Sequence, residues 1–332
     1  MYEENPMRPL LRTAIALAGL GLAGNASALN ILLTNDDGCR APGIAAVYQA
    51  LSAAGHQVTL VAPDTDNSGI GAASVVLPGQ ALAIQRLADR QYCVGAPAGY
   101  ALPAGKNMAI GTPVDAVNVG LDLLLKDNPP DLVVSGSNFG DNAGPLIQLS
   151  GTLNAALWAM RRGVPALAVS TAIDLPLMQR DQKAALQRTL DAQADSAQLA
   201  VRVLDRALAS GRAARERCSS GRDKTACKLN LLGLPAGQGL NLNYPARQAA
   251  EVRGLVYAPV SDWSPIVFAV QGDKDGARVN LARPSEPNER QRKEDAFLLT
   301  QGYAVLSVVG TNLNGSGEGE RRAKGVVEGV KP

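Results

Sequence analysis

The run Ile31-Leu32-Leu33-Thr34-Asn35-Asp36-Asp37-Gly38 is a short apolar strand that stops at two adjacent carboxylates and a glycine. Side chains alternate faces along a strand, so Asp36 and Asp37 converge only if the chain turns there, and Gly38 permits the turn. Two ionised carboxylates held together need a compensating charge, most directly a divalent cation. Further oxygen donors follow two other strand-like runs. Asp64, Asp66, Asn67 and Ser68 come after residues 57–62, and Ser135, Ser137, Asn138 and Asn142 lie at or beyond the end of residues 131–135. Carboxylate, hydroxyl and amide oxygens suit Mg²⁺, Mn²⁺ or Ca²⁺ rather than a soft metal. Ser150-Gly151-Thr152 opens a helix after the glycine-rich residues 136–144, and the free N–H groups of a helix start suit an anion. A cation beside an anion pocket describes a phosphoryl-transfer site better than a structural ion. Singly, each feature has a plain counterpart: Asp-Asp-Gly as a solvated turn, Ser150 as a helix cap. Their convergence at one sheet edge carries the inference.

That convergence requires a particular scaffold. Residues 29–34, 57–62, 131–135 and 166–170 read as buried strands. Residues 42–54, 114–125 and 153–162 read as the helices between them. The succession implies a parallel sheet with right-handed crossovers, whose ligand crevice lies beyond the carboxyl ends of the strands. Farther on, residues 182–209 form a long amphipathic helix and residues 228–233 a fifth strand, with a polar stretch at Leu240-Asn241-Leu242-Asn243-Tyr244-Pro245. Residues 254–258, 266–270 and 303–309 are expected to be antiparallel strands outside the main sheet. The fold class is therefore α/β, a Rossmann-like mostly parallel sheet flanked by helices, with C-terminal antiparallel strands. Residues 29–311 form the folded domain (core 29–260, C-terminal extension 261–311), and residues 312–332 a flexible tail.

Composition narrows the function. The 332 residues carry a net charge of +2, no basic run and 4% aromatics, which argues against a nucleic-acid groove. The single histidine, His56, sits at the entry of the second strand, away from the polar loops, and reads as structural. With no second histidine, a Ser-His-Asp triad is unavailable and a zinc site with several histidines is excluded, so acid–base work falls to carboxylates, hydroxyls or an activated water. Arg8 and Arg12 precede an apolar stretch, residues 13–23, too short to span a bilayer, and Asn25-Ala26-Ser27-Ala28 supplies small residues for a signal peptidase. Residues 1–28 are thus expected to be a signal peptide cut after Ala28, with Met7 the more natural start, placing the mature protein in the periplasm or outside the cell with no membrane attachment. The four cysteines fit an oxidising compartment: Cys218 and Cys227 flank a polar loop, and Cys39 and Cys93 either pair or stay free.

An ordered series of motifs resembles the SurE (survival protein E) nucleotidases. It begins with Leu32 to Gly38 and Ala41-Pro42-Gly43-Ile44, then Val61-Ala62-Pro63 with Asn67-Ser68-Gly69, and Gly111-Thr112-Pro113-Val114-Asp115. Pro130 to Asn138 with Gly140 and Asn142, Ser150-Gly151-Thr152, Gly163-Val164-Pro165-Ala166 and Asn241 to Pro245 complete it, so the resemblance covers roughly residues 29 to 310. It implies a metal-dependent phosphomonoesterase acting on nucleoside 5′- and 3′-monophosphates. It also implies one divalent metal per subunit, Mg²⁺ or Mn²⁺ with Ca²⁺ as a substitute, held by Asp36, Asp37, Ser68 and Asn138. Asp36, Asp37 and Asn138 would serve catalysis, with Asp36 as a direct nucleophile the alternative to water. Asn142, Ser150, Gly151 and Thr152 would hold the phosphate, and the C-terminal strands would build a homodimer or homotetramer. An export signal, the longer connector at residues 95–109, the insertion at 211–226 and Cys39 in the metal loop depart from the family. Rival readings are a broad-specificity acid phosphatase and a non-catalytic nucleotide- or metal-binding envelope protein. A haloacid-dehalogenase-type phosphatase wants an Asp-x-Asp pair that Asn35-Asp36-Asp37-Gly38 does not supply.

Overall fold

Strands apolar at nearly every position can be buried on both faces, and the N-terminal half builds its sheet from such strands. The computed structural model describes residues 28–75, 78–100, 109–219 and 229–314, with a few positions beyond. The chain runs β1 (Asn30–Thr34), α1 (Pro42–Ala53), β2 (Gln57–Pro63), β3 (Ala83–Ala88), β4 (Gln91–Gly95), α2 (Pro113–Val119), β5 (Leu132–Phe139), α3 (Gly151–Arg161) and β6 (Ala166–Thr171). It continues through α4 (Leu175–Met178), α5 (Gln182–Ser219), β7 (Gln238–Tyr244), β8 (Leu255–Tyr257), β9 (Val267–Asp273), β10 (Gly276–Ala282), α6 (Asp295–Thr300) and β11 (Ala304–Gly310). Nine of these strands make one sheet, ordered β3-β4-β2-β1-β5-β6-β7-β11-β8. From β4 to β7 every pairing is parallel.

The period-two alternation splits each strand between two cores. Ile31 and Leu33 face α1 and α5, packing among Ile44, Val47, Leu51, Val201 and Leu204. Leu32 faces α2 and α3, among Val117, Leu153 and Ala156. Burying a leucine fully is worth about 2 kcal/mol, so these two layers fix which way β1 points its last residues. Helix starts are set by local chemistry. Pro42 occupies the first turn of α1. Thr112 and Asp115 form a reciprocal capping box on α2, and the Ser150 hydroxyl accepts the Leu153 N–H at the start of α3.

Several expectations need correction. Of the expected fifth strand, residue 228 lies outside the described residues and residues 229–233 do not form a strand. The Asn230 side chain accepts the N–H groups of Leu232 and Leu234, curling this segment into a turn, and the next sheet strand is β7. The stretch Leu240 to Tyr244 is that strand, its leucines facing one core and its asparagines the other layer. Residues 254–258 and 303–309 are not outside the main sheet. β11 pairs antiparallel with β7, and β8 pairs parallel with β11 at the edge. Of the three, only the strand expected at 266–270 lies apart, as β9 from Val267, whose partner β10 completes a two-stranded antiparallel ribbon. The β3–β4 hairpin at the opposite edge had no counterpart in the sequence reading, and α5 runs beyond residue 209 to Ser219. Where residues 114–125 were expected to be one helix, α2 loosens into a π turn at Gly120–Leu124. The expected signal peptide lies outside the described residues apart from its last position, as do Cys227, the side chain of Cys218 and most of the connector and tail. Among the described residues, no helix is long and apolar enough to cross a membrane.

Candidate active site

At the end of β1 the backbone turns at Gly38, whose φ of +108° lies in the left-handed region. The Asn35 side chain clamps that turn from both sides, its Oδ1 accepting from Gly38 N–H and its Nδ2 donating to Gly38 O. The turn is tied to the end of β2 through Cys39 N–H to Pro63 O and Asn67 N–H to Asp36 O, at 2.7 Å each. A disulfide from Cys39 to Cys93 on β4 adds a covalent tie. Three strand ends are thereby bound together.

This brings Asp36 and Asp37 close enough to oppose each other's ionisation. Burial pushes the Asp36 carboxyl above its ordinary range, partly countered by the hydroxyl and N–H of Thr152. Asp37 is pushed up to about 7, first by burial and next by the charge on Asp36. Asp66 raises both further. A buried carboxylate beside a half-buried one whose ionisation it opposes, with the charge of Asp66 nearby, forms the donor arrangement a divalent ion relieves. Among the described residues no three Asp, Glu, His or Cys side chains cluster as a metal set. The remaining donors are neutral oxygens, as a hard cation that keeps part of its hydration shell accepts.

Those neutral donors are placed as follows. Ser68 lies at the mouth of the cleft containing Asp37, with its hydroxyl and N–H both donated to Asp66 Oδ1. Asn138 is the last residue but one of β5, just past a shift in the β5–β6 register, a bulge that re-aims the strand's last side chains. Its Nδ2 donates to Gly140 O at 2.8 Å, and the next N–H, that of Phe139, donates to Asp37 Oδ2 at 3.0 Å. Asn142 is buried and engaged. Its side chain donates to Ser170 Oγ, its N–H to Asn243 Oδ1, and its carbonyl accepts from the amides of Asn241 and Asn243. Asn142 thus pins the loop to β6 and β7. Ser150 uses its hydroxyl as a helix cap.

The start of α3 lands on Asp36. Thr152 Oγ1 donates a short bond to Asp36 Oδ1. A Cβ on Gly151 would lie 2.7 Å from Asp36 Cβ and 2.8 Å from its Oδ2, so only glycine lets the helix come this close. The positive end of a helix therefore faces two crowded carboxylates, leaving N–H groups beside any cation they hold. His56 lies at the opposite edge, its Nδ1 accepting from Leu29 N–H, and burial lowers its pKa.

Three participants were missed in the sequence. Phe139 and Gln193 of α5 line the same cleft as Asp37 and Ser68, about 480 Å³ in volume. Asp295 is fully buried, and its carboxylate accepts the N–H groups of Gly144, Ser261 and Ala296, fixing the far end of the loop after β5. Sequence separation hid Asp295, which lies 151 positions after Gly144.

A family model described as Survival protein SurE matches residues 31–265. The 5′-nucleotidase SurE of Nitratidesulfovibrio vulgaris (strain DSM 19637 / Miyazaki F) is 36% identical over 283 residues, spanning 83% of this chain and 85% of that protein. The 5′-nucleotidase SurE of Pelobacter propionicus is 35% identical, spanning 68% of this chain and 69% of its own. In fold, the crystal structure of the Sure protein from Aquifex aeolicus matches with a TM-score of 0.61 at 23% identity, covering 90% of this chain and 99% of that one.

Proposed function

The chain belongs to the survival protein SurE family, and from that premise we propose that it hydrolyses nucleoside 5′- and 3′-monophosphates to nucleoside and phosphate with a divalent metal, Mg²⁺ or Mn²⁺. One observation carries the reading: Asp36, buried under the N-terminus of α3, stands beside the half-buried Asp37, and both are raised in pKa.

Asp36 and Asp37 are the charged ligands, with Ser68 and Asn138 supplying neutral oxygens. When bound, the cation polarises the phosphoryl oxygens and helps to acidify water. The chain's own residues position the phosphomonoester. The Gly151 N–H, at the open end of α3, faces the phosphate and takes up charge as it develops, while the Thr152 N–H stays on Asp36. Thr152 holds Asp36 in one rotamer, Phe139 N–H holds Asp37, and Asn142 keeps the intervening loop in place. Burial excludes bulk water from Asp36 and strengthens its interactions.

The proposal extends to location and assembly. The basic and apolar N-terminus with its small-residue cleavage site, together with the Cys39–Cys93 disulfide, supports export to an oxidising compartment and a substrate pool of extracytoplasmic nucleotides. The C-terminal ribbon supports a homodimer or homotetramer.

The test is phosphate release from a panel of nucleoside 5′- and 3′-monophosphates by the mature protein with Mn²⁺ or Mg²⁺, and with EDTA as control. We expect metal-dependent turnover, and a loss of at least about a hundredfold in kcat/KM for Asp36→Asn and for Asn138→Ala. Turnover that persists in EDTA, or is unchanged in both variants, would overturn the site.

A further inference from the structure

Gln193 is an anomaly in the α5–sheet interface. It is 3% exposed, yet its Oε1 accepts no hydrogen bond. A buried amide left unsatisfied costs on the scale of a lost hydrogen bond, so its retention asks for a partner outside the folded chain. Gln193 lines the cleft that also holds Asp37, Ser68 and Phe139. The half-buried Phe139 follows Asn138 directly, and its N–H is committed to Asp37, so the backbone that positions the ring also positions the carboxylate.

We propose that Phe139 and Gln193 form the recognition wall for the nucleoside half of the substrate, Phe139 stacking on the base and the Gln193 amide hydrogen-bonding to its polar edge. This rests on the function proposed above and names the specificity residues of that same site. The charge of the cleft supports it. Asp37, Asp64 and Asp66 line it against the single cation Arg40, so beyond the metal it resists a second phosphate and accepts a neutral group. Its volume of about 480 Å³ falls within the ~300–1,000 Å³ common for small-molecule sites. An aromatic face beside an amide, which offers both a donor and an acceptor, is the pairing by which proteins hold an unstacked base.

The test uses the holoenzyme with the native residues, Gln193→Met and Phe139→Leu, on nucleoside monophosphates and on ribose 5-phosphate, which has no base. Gln193→Met should raise KM for nucleotides by about five- to tenfold with kcat nearly unchanged, and leave kcat/KM for ribose 5-phosphate and the Mn²⁺ affinity as they were, while Phe139→Leu, whose N–H still reaches Asp37, should raise the nucleotide KM by more than it lowers kcat/KM for ribose 5-phosphate. Equal losses on ribose 5-phosphate would make both residues merely structural, and unchanged nucleotide KM would dismiss them; either result overturns the inference. Should the native enzyme turn over no nucleotide, the function proposed above fails on its own. AMP binding by calorimetry in the presence of Mn²⁺ then decides this inference: tighter binding to the native protein than to the variants sustains it, and equal or absent binding overturns it.

Discussion

Gly151 and Asp36 share a space that admits no further atom. Because an added Cβ would meet Asp36 Cβ at 2.7 Å and Ile70 Cγ2 at 3.0 Å, Gly151→Ala must push α3 outward or turn the carboxylate. The cost should be about 1–3 kcal/mol of stability, as for other overpacked sites, with Mn²⁺ affinity falling alongside. Thermal melts and metal titration of that variant check it. The second residue-scale prediction concerns Asp37, whose carboxyl is raised to about 7 in the metal-free protein. A raised folded pKa penalises the ionised form, so metal-free stability should fall as pH rises from the ordinary carboxylate range through 7. Metal needs that ionised form, so Mn²⁺ affinity should drop up to about tenfold for each pH unit below 7 and level off above it. Calorimetric scans in Mn²⁺ and in EDTA across pH 5–8 measure both slopes. The two carboxylates were legible because they adjoin in sequence and end a strand. Thr152 was read as a phosphate contact, but its bond to Asp36 was not legible, since it joins residues 116 apart through a tertiary approach that no local pattern encodes.

At the scale of elements, the loop carrying Asp36 and Asp37, the proposed metal ligands, is held at both ends. β1 fixes its start through two buried layers, while Cys39, two residues past Asp37, is bonded to Cys93 on β4. The bridge spans 54 positions, so a double Cys39→Ala, Cys93→Ala change should cost about 4 kcal/mol by the loop-entropy argument. Because one end sits in that loop, the variant should also bind Mn²⁺ more weakly, and turnover of the native protein should fall after reduction under mild denaturant, which opens the buried bridge. Full activity and unchanged melting in the variant would make the bridge incidental. The parallel strands were readable from apolar runs punctuated by Gly and Pro. β7 was not, since its asparagines at alternate positions made it read only as a polar stretch, although they serve the pin around Asn142. β11 was read as peripheral because nothing local distinguishes an edge strand from one that enters between β7 and β8. The turn after residue 229 misled for the opposite reason: its leucines suggest a strand, but one asparagine side chain satisfies the backbone groups that a strand neighbour would have taken.

For the whole molecule, net charge is close to neutral and says little about assembly; the β9–β10 ribbon says more. An isolated two-stranded ribbon is marginal in water, yet this one carries a row of large apolar side chains in register. Phe268 faces Leu281 and Val270 faces Val279, so all four lie on one side. Their exposure runs from 55% for Phe268 to 71% for Val270 and Leu281. A contiguous apolar face of this kind marks a surface meant to be covered. The occupant proposed here is a second copy of the chain, since a ribbon standing apart from the main sheet can reach across a two-fold axis and be answered by its symmetry mate. Replacing the facing pair, Phe268→Asp with Leu281→Lys, keeps the cross-strand contact as a charge pair while removing the apolar face. Light scattering should then report monomers where the native protein gives dimers or larger, and Mn²⁺ affinity should hold because Asp36, Asp37 and Asn138 lie at the ends of main-sheet strands, away from the ribbon. A native protein that is monomeric at high concentration, or a variant whose mass does not change, would show that the ribbon serves something other than self-association.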